Sequence, residues 1–143
     1  MSNGKLIGKG FSVIKVATPS TGVVRYLKTP QDVLQLVKEG NIGGTVVMAR
    51  AGTVTFVGPV LPRKPAGIIT IEGAPQSHLG ILAREFGVPA VMSIELTDSH
   101  VERLSGEGVT REEYVDHVAE MLNGTRVTVD CSDPQTGLVF TAE

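Results

Sequence analysis

The residues best suited to chemistry lie in one stretch, residues 73–91, where a histidine follows a serine between a predicted strand and a predicted helix. The preceding residues 68–71, Ile-Ile-Thr-Ile, form a mostly apolar run that is typical of a buried strand. Apolar residues then recur at the spacing of one helix face, at Leu79, Leu82, Ala83 and Phe86. His78 directly precedes the first residue of this face and therefore falls in the first turn of the helix, which Gly87 and Pro89 end.

The first turn of a helix suits both an anion and a nucleophilic histidine. Free backbone N–H groups and the positive end of the helix dipole favour an anionic group there by roughly 0.3–2 kcal/mol. A phosphate is one such group. The same field disfavours protonation of the imidazole, which leaves one ring nitrogen with a lone pair that can attack phosphorus. The position of His78 therefore predicts a nucleophile whose phosphorylated form the helix would stabilise.

Two neighbours of His78 could assist it. Ser77 is a good N-cap residue because its hydroxyl can accept a hydrogen bond from an N–H one turn into the helix. The Arg84 guanidinium can bind phosphate oxygens bidentately, although the intervening helix rotates it away from His78, so contact depends on its side-chain conformation. The alternative is that His78 only caps the helix and that Arg84 pairs with Glu72 or Glu85. The spacing alone leaves both interpretations open.

A longer pattern favours the first interpretation. Residues 67–91 contain Gly-Ile-Ile-Thr and then Gly-Ala-Pro-Gln-Ser-His-Leu-Gly-Ile-Leu-Ala-Arg-Glu-Phe-Gly-Val-Pro-Ala-Val. This pattern resembles the phosphohistidine signature of the phosphoenolpyruvate-utilising enzymes, a family that includes pyruvate phosphate dikinase, phosphoenolpyruvate synthase and enzyme I of the sugar phosphotransferase system. Residues 43–49 and 123–130 resemble, more diffusely, an early strand and the closing strand of the family's mobile domain.

The resemblance implies a fold and its extent. The implied fold is the layered β/β/α swivelling phosphohistidine domain, which belongs to the mixed α/β class. It would cover residues 1–143 as a single domain. Residues 98–122 are longer than the usual connection at this point of the family's domain, so we expect a helical insertion there.

The resemblance also assigns roles to particular residues. His78 would be the catalytic residue. The phosphate-binding residues would be Gly73, Ser77 and Arg84. Gly73 would bind through its backbone N–H, together with the backbone N–H groups that follow it up to His78. The sequence departs from the family at Ala74, where a second glycine is usual, and at Gly80, where alanine is usual. A backbone with φ > 0 would strain Ala74, and Gly80 costs about 1 kcal/mol of helix propensity.

Composition is that of a globular domain with an aliphatic core. The 143 residues are 41% hydrophobic and 4% aromatic, and the net charge is −2. With this charge and no basic run that contains aromatics, we expect no nucleic-acid binding. No signal peptide or membrane-length apolar run is visible, so we expect a cytoplasmic protein without membrane contact. The one cysteine, Cys131, cannot form an internal disulfide, and we expect it to be structural.

The amino-terminal part of the chain contains predicted strands and one predicted helix. Residues 6–7 and 11–16 have the apolar content of strands, and we expect residues 8–10, Gly-Lys-Gly, to break them. The order Thr29-Pro30 is typical of a helix start, and this helix would end at Gly40.

The carboxyl-terminal part predicts a helix followed by a hairpin. The helix follows Thr110, and its apolar face comprises Tyr114, Val115, Val118, Met121 and Leu122. Residues 126–131 and 138–140 alternate as the strands of a terminal hairpin. His100 and His117 lack neighbours at metal-ligand spacing, so we expect both to be solvated and no metal to be bound.

The sequence also limits what the chain could do alone. It shows no ATP-binding loop and no magnesium-binding carboxylate cluster, and it is too short for a (β/α)₈ barrel of about 250 residues. The resemblance therefore implies a phosphoryl carrier, in which His78 accepts a phosphoryl group at a partner's ATP or phosphoenolpyruvate site and passes it to an acceptor elsewhere. The chain would be the mobile subunit of a multi-subunit phosphotransferase of the dikinase or synthase kind, inactive alone.

The partners implied are an ATP-grasp-like nucleotide-binding subunit, a barrel subunit of the phosphoenolpyruvate or pyruvate type, or both. They would hold Mg²⁺ and ATP or phosphoenolpyruvate, and this chain would bind no cofactor. One alternative is a non-catalytic interaction or regulatory module with the same fold. Another is a self-contained phosphatase or hydrolase, although no second acid or base has a recognisable place beside His78. Ser77 could also be a regulatory phosphorylation site instead of an N-cap.

Overall fold

Helices are interspersed among strands in the computed structural model, which describes residues 5–16, 18–50, 58–72, 78–97, 112–133 and 135–142. The strands in these ranges are β1 (Leu6–Ser12), β2 (Ser20–Tyr26), β3 (Thr45–Ala49), β4 (Gly67–Thr70), β5 (Ala90–Leu96), β6 (Arg126–Asp130) and β7 (Thr136–Thr141). The α-helices are α1 (Pro30–Glu39), α2 (His78–Phe86) and α3 (Glu112–Leu122), and 3₁₀ turns cover Ile42–Gly44 and Gly58–Arg63. The predicted mixed α/β class is confirmed.

The strands form one sheet that closes into a barrel in the order β1-β5-β4-β3-β2-β6-β7. Strands β2, β3, β4 and β5 pair in parallel, and the other pairings are antiparallel. We call the end of the barrel at which the four parallel strands finish the carboxyl edge, and the end at which they begin the amino edge. The layered β/β/α arrangement stays a prediction, because the pairing shows a closed sheet and not separate layers.

The parallel strands carry apolar side chains on both faces. All residues of β3 and β4 are buried. Side chains on one face meet residues from the other strands and from α3 in the barrel interior. Side chains on the other face pack beneath α1 and α2. Parallel strands need cover on both faces, and these helices supply it on the outside of the barrel.

Helix α1 has the ends that its sequence predicts. The Thr29 hydroxyl accepts a hydrogen bond from the Asp32 N–H at 3.2 Å, and the Asp32 carboxylate accepts one from the Thr29 N–H at 3.0 Å. This reciprocal capping box satisfies two donors that the helix itself cannot. Gly40 then ends the helix with φ 78°, a left-handed conformation that glycine adopts without strain.

Strand β1 runs without a break from Leu6 to Ser12, so the prediction of two strands separated by glycines is wrong. Gly8 and Gly10 lie inside the strand, against β5. A Cβ on Gly8 would lie 2.9 Å from the Ile94 Cδ1, and a Cβ on Gly10 would overlap the Met92 carbonyl oxygen. The glycines therefore permit a close approach of two strands and do not form a turn.

Helix α3 confirms the predicted amphipathic helix, with one exception. Four of the five predicted apolar residues are buried, namely Tyr114, Val115, Val118 and Leu122. Met121 is 40% exposed, so it does not belong to the buried face of the helix. It lies at the edge of the buried stripe, where a small rotation of the helix decides between contact and exposure. His117 on the same helix is half-buried and not fully solvated.

Strands β6 and β7 form the predicted terminal hairpin, with Val129 opposite Val139. Cys131 follows β6 and is buried, with its Sγ 3.6 Å from the Ala90 carbonyl oxygen. Burial raises the pKa of the Cys131 thiol, which keeps it protonated, and this supports the predicted structural role. His100 lies outside the described residues. The assignment of residues 1–143 to a single domain stays a prediction. The insertion at residues 98–122 also stays a prediction, although α3 lies within that range.

Tyr114 joins α3 to β5 inside the core. Its side chain is 1% exposed. Its hydroxyl donates to the Ile94 carbonyl oxygen at 2.5 Å and accepts from the Leu96 N–H at 3.2 Å. Buried backbone groups need partners. The hydroxyl therefore supplies hydrogen bonds that a neighbouring strand would otherwise make.

Tyr114→Phe keeps the ring and removes this hydroxyl. We expect the free energy of unfolding to fall by about 1–3 kcal/mol, because two buried backbone groups lose a partner. Urea denaturation measures the change. Tyr26→Phe is the matched control because Tyr26 is only half-buried, and a change within about 0.5 kcal/mol is expected. Equal losses in the two variants would contradict this role of Tyr114.

Gly10→Ala tests the close approach of β1 and β5. The added methyl group meets the Met92 carbonyl oxygen, so we expect a loss of about 1–3 kcal/mol in the free energy of unfolding. Gly43→Ala is the control, because no described atom lies within 4 Å of a Cβ at Gly43, and it should change stability by about 0.5 kcal/mol or less. A Gly10→Ala protein with the wild-type urea midpoint would show that the strands have room to separate.

Candidate functional site

Helix α2 connects the carboxyl end of β4 to the amino end of β5, and such a connection between parallel strands starts on the carboxyl-edge side and returns to the amino edge. Beyond β4, the Glu72 N–H still donates to the Arg50 carbonyl oxygen at 2.8 Å, and the chain then leads to α2, which begins at His78. After the helix, Gly87 has φ 70°, and β5 begins at Ala90. The predicted position of His78 in the first turn of a helix is confirmed, as is the helix end at Gly87.

Part of the predicted site lies outside the described residues, namely Gly73, Ala74 and Ser77. The phosphate-binding role of Gly73 and Ser77, the N-cap and the strain expected at Ala74 therefore stay predictions. So does the catalytic role of His78. Gly80 has helical backbone within α2, so the substitution of the family's usual alanine does not interrupt the helix.

Arg84 lies toward the other end of α2 from His78. Six residues of α-helix rise about 9 Å along the axis. The Arg84 Nε donates to the Val13 carbonyl oxygen at 3.0 Å. Val13 follows β1, whose last residue, Ser12, pairs with Val91 near the amino edge. The structure thus does not bring Arg84 to the histidine end of the helix, and its phosphate-binding role stays a prediction that requires the side chain to leave Val13.

A different guanidinium, that of Arg50, lies at the carboxyl edge. Arg50 directly follows β3, and its Nη1 is 2.7 Å from the Glu112 Oε1. Its Nε is 3.7 Å from the Oε1 of Glu72, which follows β4. Glu112 is the first residue of α3. We call Arg50, Glu72 and Glu112 the carboxyl-edge ion cluster.

The ion cluster combines one positive and two negative side chains. The hydrogen bond to Glu112 raises the pKa of the Arg50 guanidinium, so it stays protonated. Tyr26, the last residue of β2, is half-buried. Burial raises the pKa of its phenol, and the charge of Arg50 acts in the opposite direction. One guanidinium therefore faces two carboxylates beside a neutral phenol.

Strands β4 and β5 stop pairing before they reach the carboxyl edge. Their ladder ends at Ile69 and Val91. Ser93 then adopts φ 56°, which is uncommon for a residue with a side chain, and its N–H donates to the Thr70 Oγ1 at 3.2 Å. The register of β5 against β1 shifts in the same region. This bulge bends β5 beside the strand that leads to α2.

Neither a metal-binding cluster nor a membrane-spanning helix occurs in the part of the chain that the structure describes. Its His, Cys, Asp and Glu residues form no group of three or more placed to hold a metal ion. Its helices all lack the length and apolar character needed to cross a membrane.

The described groups at the carboxyl edge suit a phosphoryl group. The first turn of α2 offers backbone N–H groups, and a guanidinium is the side chain best matched to phosphate oxygens. Sequence reasoning missed Arg50 because it is far from His78 along the chain, and only the parallel pairing of β3 with β4 brings their ends together. Its position directly after a buried apolar run was the one available signal.

Comparison with known proteins agrees with the resemblance seen in the sequence. The chain is 31% identical over 141 residues to a phosphoenolpyruvate synthase from Deinococcus radiodurans, which is 95% of this chain and 14% of that protein. It is 32% identical over 82 residues to a phosphoenolpyruvate synthase from Aquifex aeolicus, which is 57% of this chain and 7% of that protein. The chain therefore spans about one seventh or less of the length of these curated relatives.

A family model also matches most of the chain. The model is described as "PEP-utilising enzyme, mobile domain", and it matches residues 42–133. This range includes β3, β4, α2, β5, α3 and β6. It also includes all three residues of the carboxyl-edge ion cluster. The chain is thus a phosphotransfer-related domain, and it belongs to the mobile-domain family of the phosphoenolpyruvate-utilising enzymes.

Proposed function

We propose that this chain is a phosphoryl carrier in which His78 forms the phosphohistidine. The observation that carries the proposal is the start of α2 at His78, at the carboxyl edge and within the residues that match the family. Backbone N–H groups in the first turn of a helix favour an anion, and they also disfavour a charged imidazole. The same position therefore supports attack by the histidine and retention of the phosphoryl group.

The proposed reaction has two transfers. In the first, a lone pair of one imidazole nitrogen attacks phosphorus, and the P–O bond to the donor breaks with its electron pair leaving on the donor oxygen. In the second, an acceptor oxygen attacks phosphorus, and the P–N bond breaks with its electron pair returning to the imidazole. Such transfers depend on in-line positioning and charge neutralisation. We assign contacts with the phosphoryl oxygens to Ser77 and the backbone from Gly73 onward, and Arg84 would join them only after its side chain leaves the Val13 carbonyl oxygen.

We further propose that other subunits supply the donor and acceptor sites. The relatives named phosphoenolpyruvate synthase are several times longer than the matched segment, which supports a domain that works beside others. An ATP-grasp-like subunit, a phosphoenolpyruvate or pyruvate-type barrel subunit, or both would hold Mg²⁺ with ATP or phosphoenolpyruvate. Residues 1–143 would move between these sites as one swivelling β/β/α domain in the cytoplasm, without activity of their own.

Phosphoramidate tests the nucleophile without knowledge of the partner, since it phosphorylates imidazole without an enzyme. The wild-type chain should gain an acid-labile phosphoryl group that tandem mass spectrometry places at residue 78. His78→Ala should lack this modification. His117→Ala is the matched control, because His117 lies on α3 and outside the candidate site, and it should be phosphorylated at residue 78 as the wild type is. An unmodified residue 78 in the wild type would overturn the assignment.

The carrier role needs a second experiment with physiological donors. The chain incubated alone with Mg²⁺ and either ATP or phosphoenolpyruvate should stay unmodified. Addition of an ATP-grasp or phosphoenolpyruvate-binding subunit from the same genome should phosphorylate residue 78, and the label should then pass to that subunit's acceptor. Phosphorylation by ATP without any subunit would instead indicate a self-contained enzyme. A chain that no donor modifies would indicate a non-catalytic module.

A further inference from the structure

Arg50 lies at the same end of the barrel as the start of α2. Because β3 and β4 are parallel neighbours, the residues that follow them leave the barrel side by side. The hydrogen bond from the Glu72 N–H to the Arg50 carbonyl oxygen continues this pairing beyond both strands. The chain then proceeds from Glu72 to His78. Arg84, in contrast, is bound to Val13 near the amino edge.

The contacts that hold Arg50 are of a kind that can be exchanged. The Glu112 side chain is 71% exposed, and the Arg50 side chain is 40% exposed. Ion pairs with this exposure contribute little to stability and can rearrange. A phosphoryl group carries up to twice the charge of a carboxylate and offers three acceptor oxygens, which a guanidinium can bind bidentately. It would therefore compete well with Glu112 for Arg50.

The charge of the ion cluster favours this exchange. Two carboxylates face one guanidinium, so the cluster is negative overall while Arg50 is engaged with both. A phosphoryl group arriving at the same edge would be repelled by them. Release of Arg50 from Glu112 turns a guanidinium toward the incoming charge and leaves the exposed carboxylate to water.

We propose that Arg50 exchanges Glu112 for the phosphoryl group carried by His78. Arg50 is then a phosphoryl-binding residue, and Glu112 is its partner in the unphosphorylated protein. This inference rests on the proposed carrier function. It also gives α3 a role at the site, because Glu112 is the first residue of a helix that Tyr114 fastens to β5.

The test uses potassium phosphoramidate as the donor. Its P–N bond breaks, ammonia leaves, and a new P–N bond forms to one imidazole nitrogen while the other ring nitrogen keeps its proton. Arg50→Ala should slow phosphorylation of residue 78 about tenfold, as expected for the loss of a hydrogen bond between charged groups. Phosphorus NMR should also show the second pKa of the phosphoryl group raised by about one unit, because a nearby positive charge is lost.

Three further variants separate the role of Arg50 from a general effect of charge. Arg25→Ala is the matched control, since Arg25 is paired with Glu39 and its side chain is 34% exposed. Its rate should stay within about twofold of the wild type, because Arg25 is engaged with Glu39 and does not belong to the carboxyl-edge ion cluster. Arg50→Lys keeps the charge without the bidentate geometry and should give an intermediate rate. Glu112→Gln frees Arg50 and should raise the rate about two- to fivefold.

The outcomes distinguish this inference from the proposed function. If residue 78 of the wild type is not phosphorylated, both fail. If it is phosphorylated, and folded Arg50→Ala matches the wild type in rate and in phosphoryl pKa, only the role of Arg50 is overturned. Circular dichroism shows whether each variant is folded. If Arg50→Ala is unfolded, wild-type rates in both Arg50→Lys and Glu112→Gln overturn the inference.

Discussion

The parallel pairing of β2, β3, β4 and β5 is the constraint on which the rest of the structure depends. Parallel strands cannot be joined by tight turns, so the chain has to return along the outside of the sheet between them. Helices α1 and α2 are two of these returns, and they cover the outer apolar face. The same pairing places the ends of the strands, Arg50, Glu72 and the start of α2 at one edge, which is where α/β sheets generally bind ligands.

Closure of the barrel depends on β5, which pairs in parallel with β4 and antiparallel with β1. The change of partner leaves backbone groups without a regular ladder, and side chains satisfy them. Thr70 accepts from the Ser93 N–H, and the Tyr114 hydroxyl bonds to Ile94 and Leu96. Gly10 lets β1 come close enough to complete the sheet. In the described part of the chain, no buried side-chain nitrogen or oxygen lacks a hydrogen-bond partner.

The electrostatics of the carboxyl edge suit a domain concerned with phosphotransfer. A phosphoryl group that is to be passed on has to be bound by groups that release it again, and exposed ion pairs are weak enough to rearrange. The strands that define the barrel are held by buried hydrogen bonds, whereas the Arg50 side chain is only partly exposed and the Glu112 side chain is largely exposed. The buried strands thus position the site, and the side chains at the end of the barrel supply charges that can exchange partners.

The sequence by itself determined the features that depend on neighbouring residues. Capping at Thr29, the start of a helix at His78 and the terminal hairpin follow from interactions within a few positions, and each is present. Local patterns misassigned Gly10, because a glycine that permits close approach of another strand looks the same in sequence as one in a turn. Local patterns also did not identify Arg50 as a site residue, because its partners Glu72 and Glu112 are distant in sequence. Only the tertiary structure decided these points, since strand pairing and ion pairing between elements depend on contacts that no local pattern records.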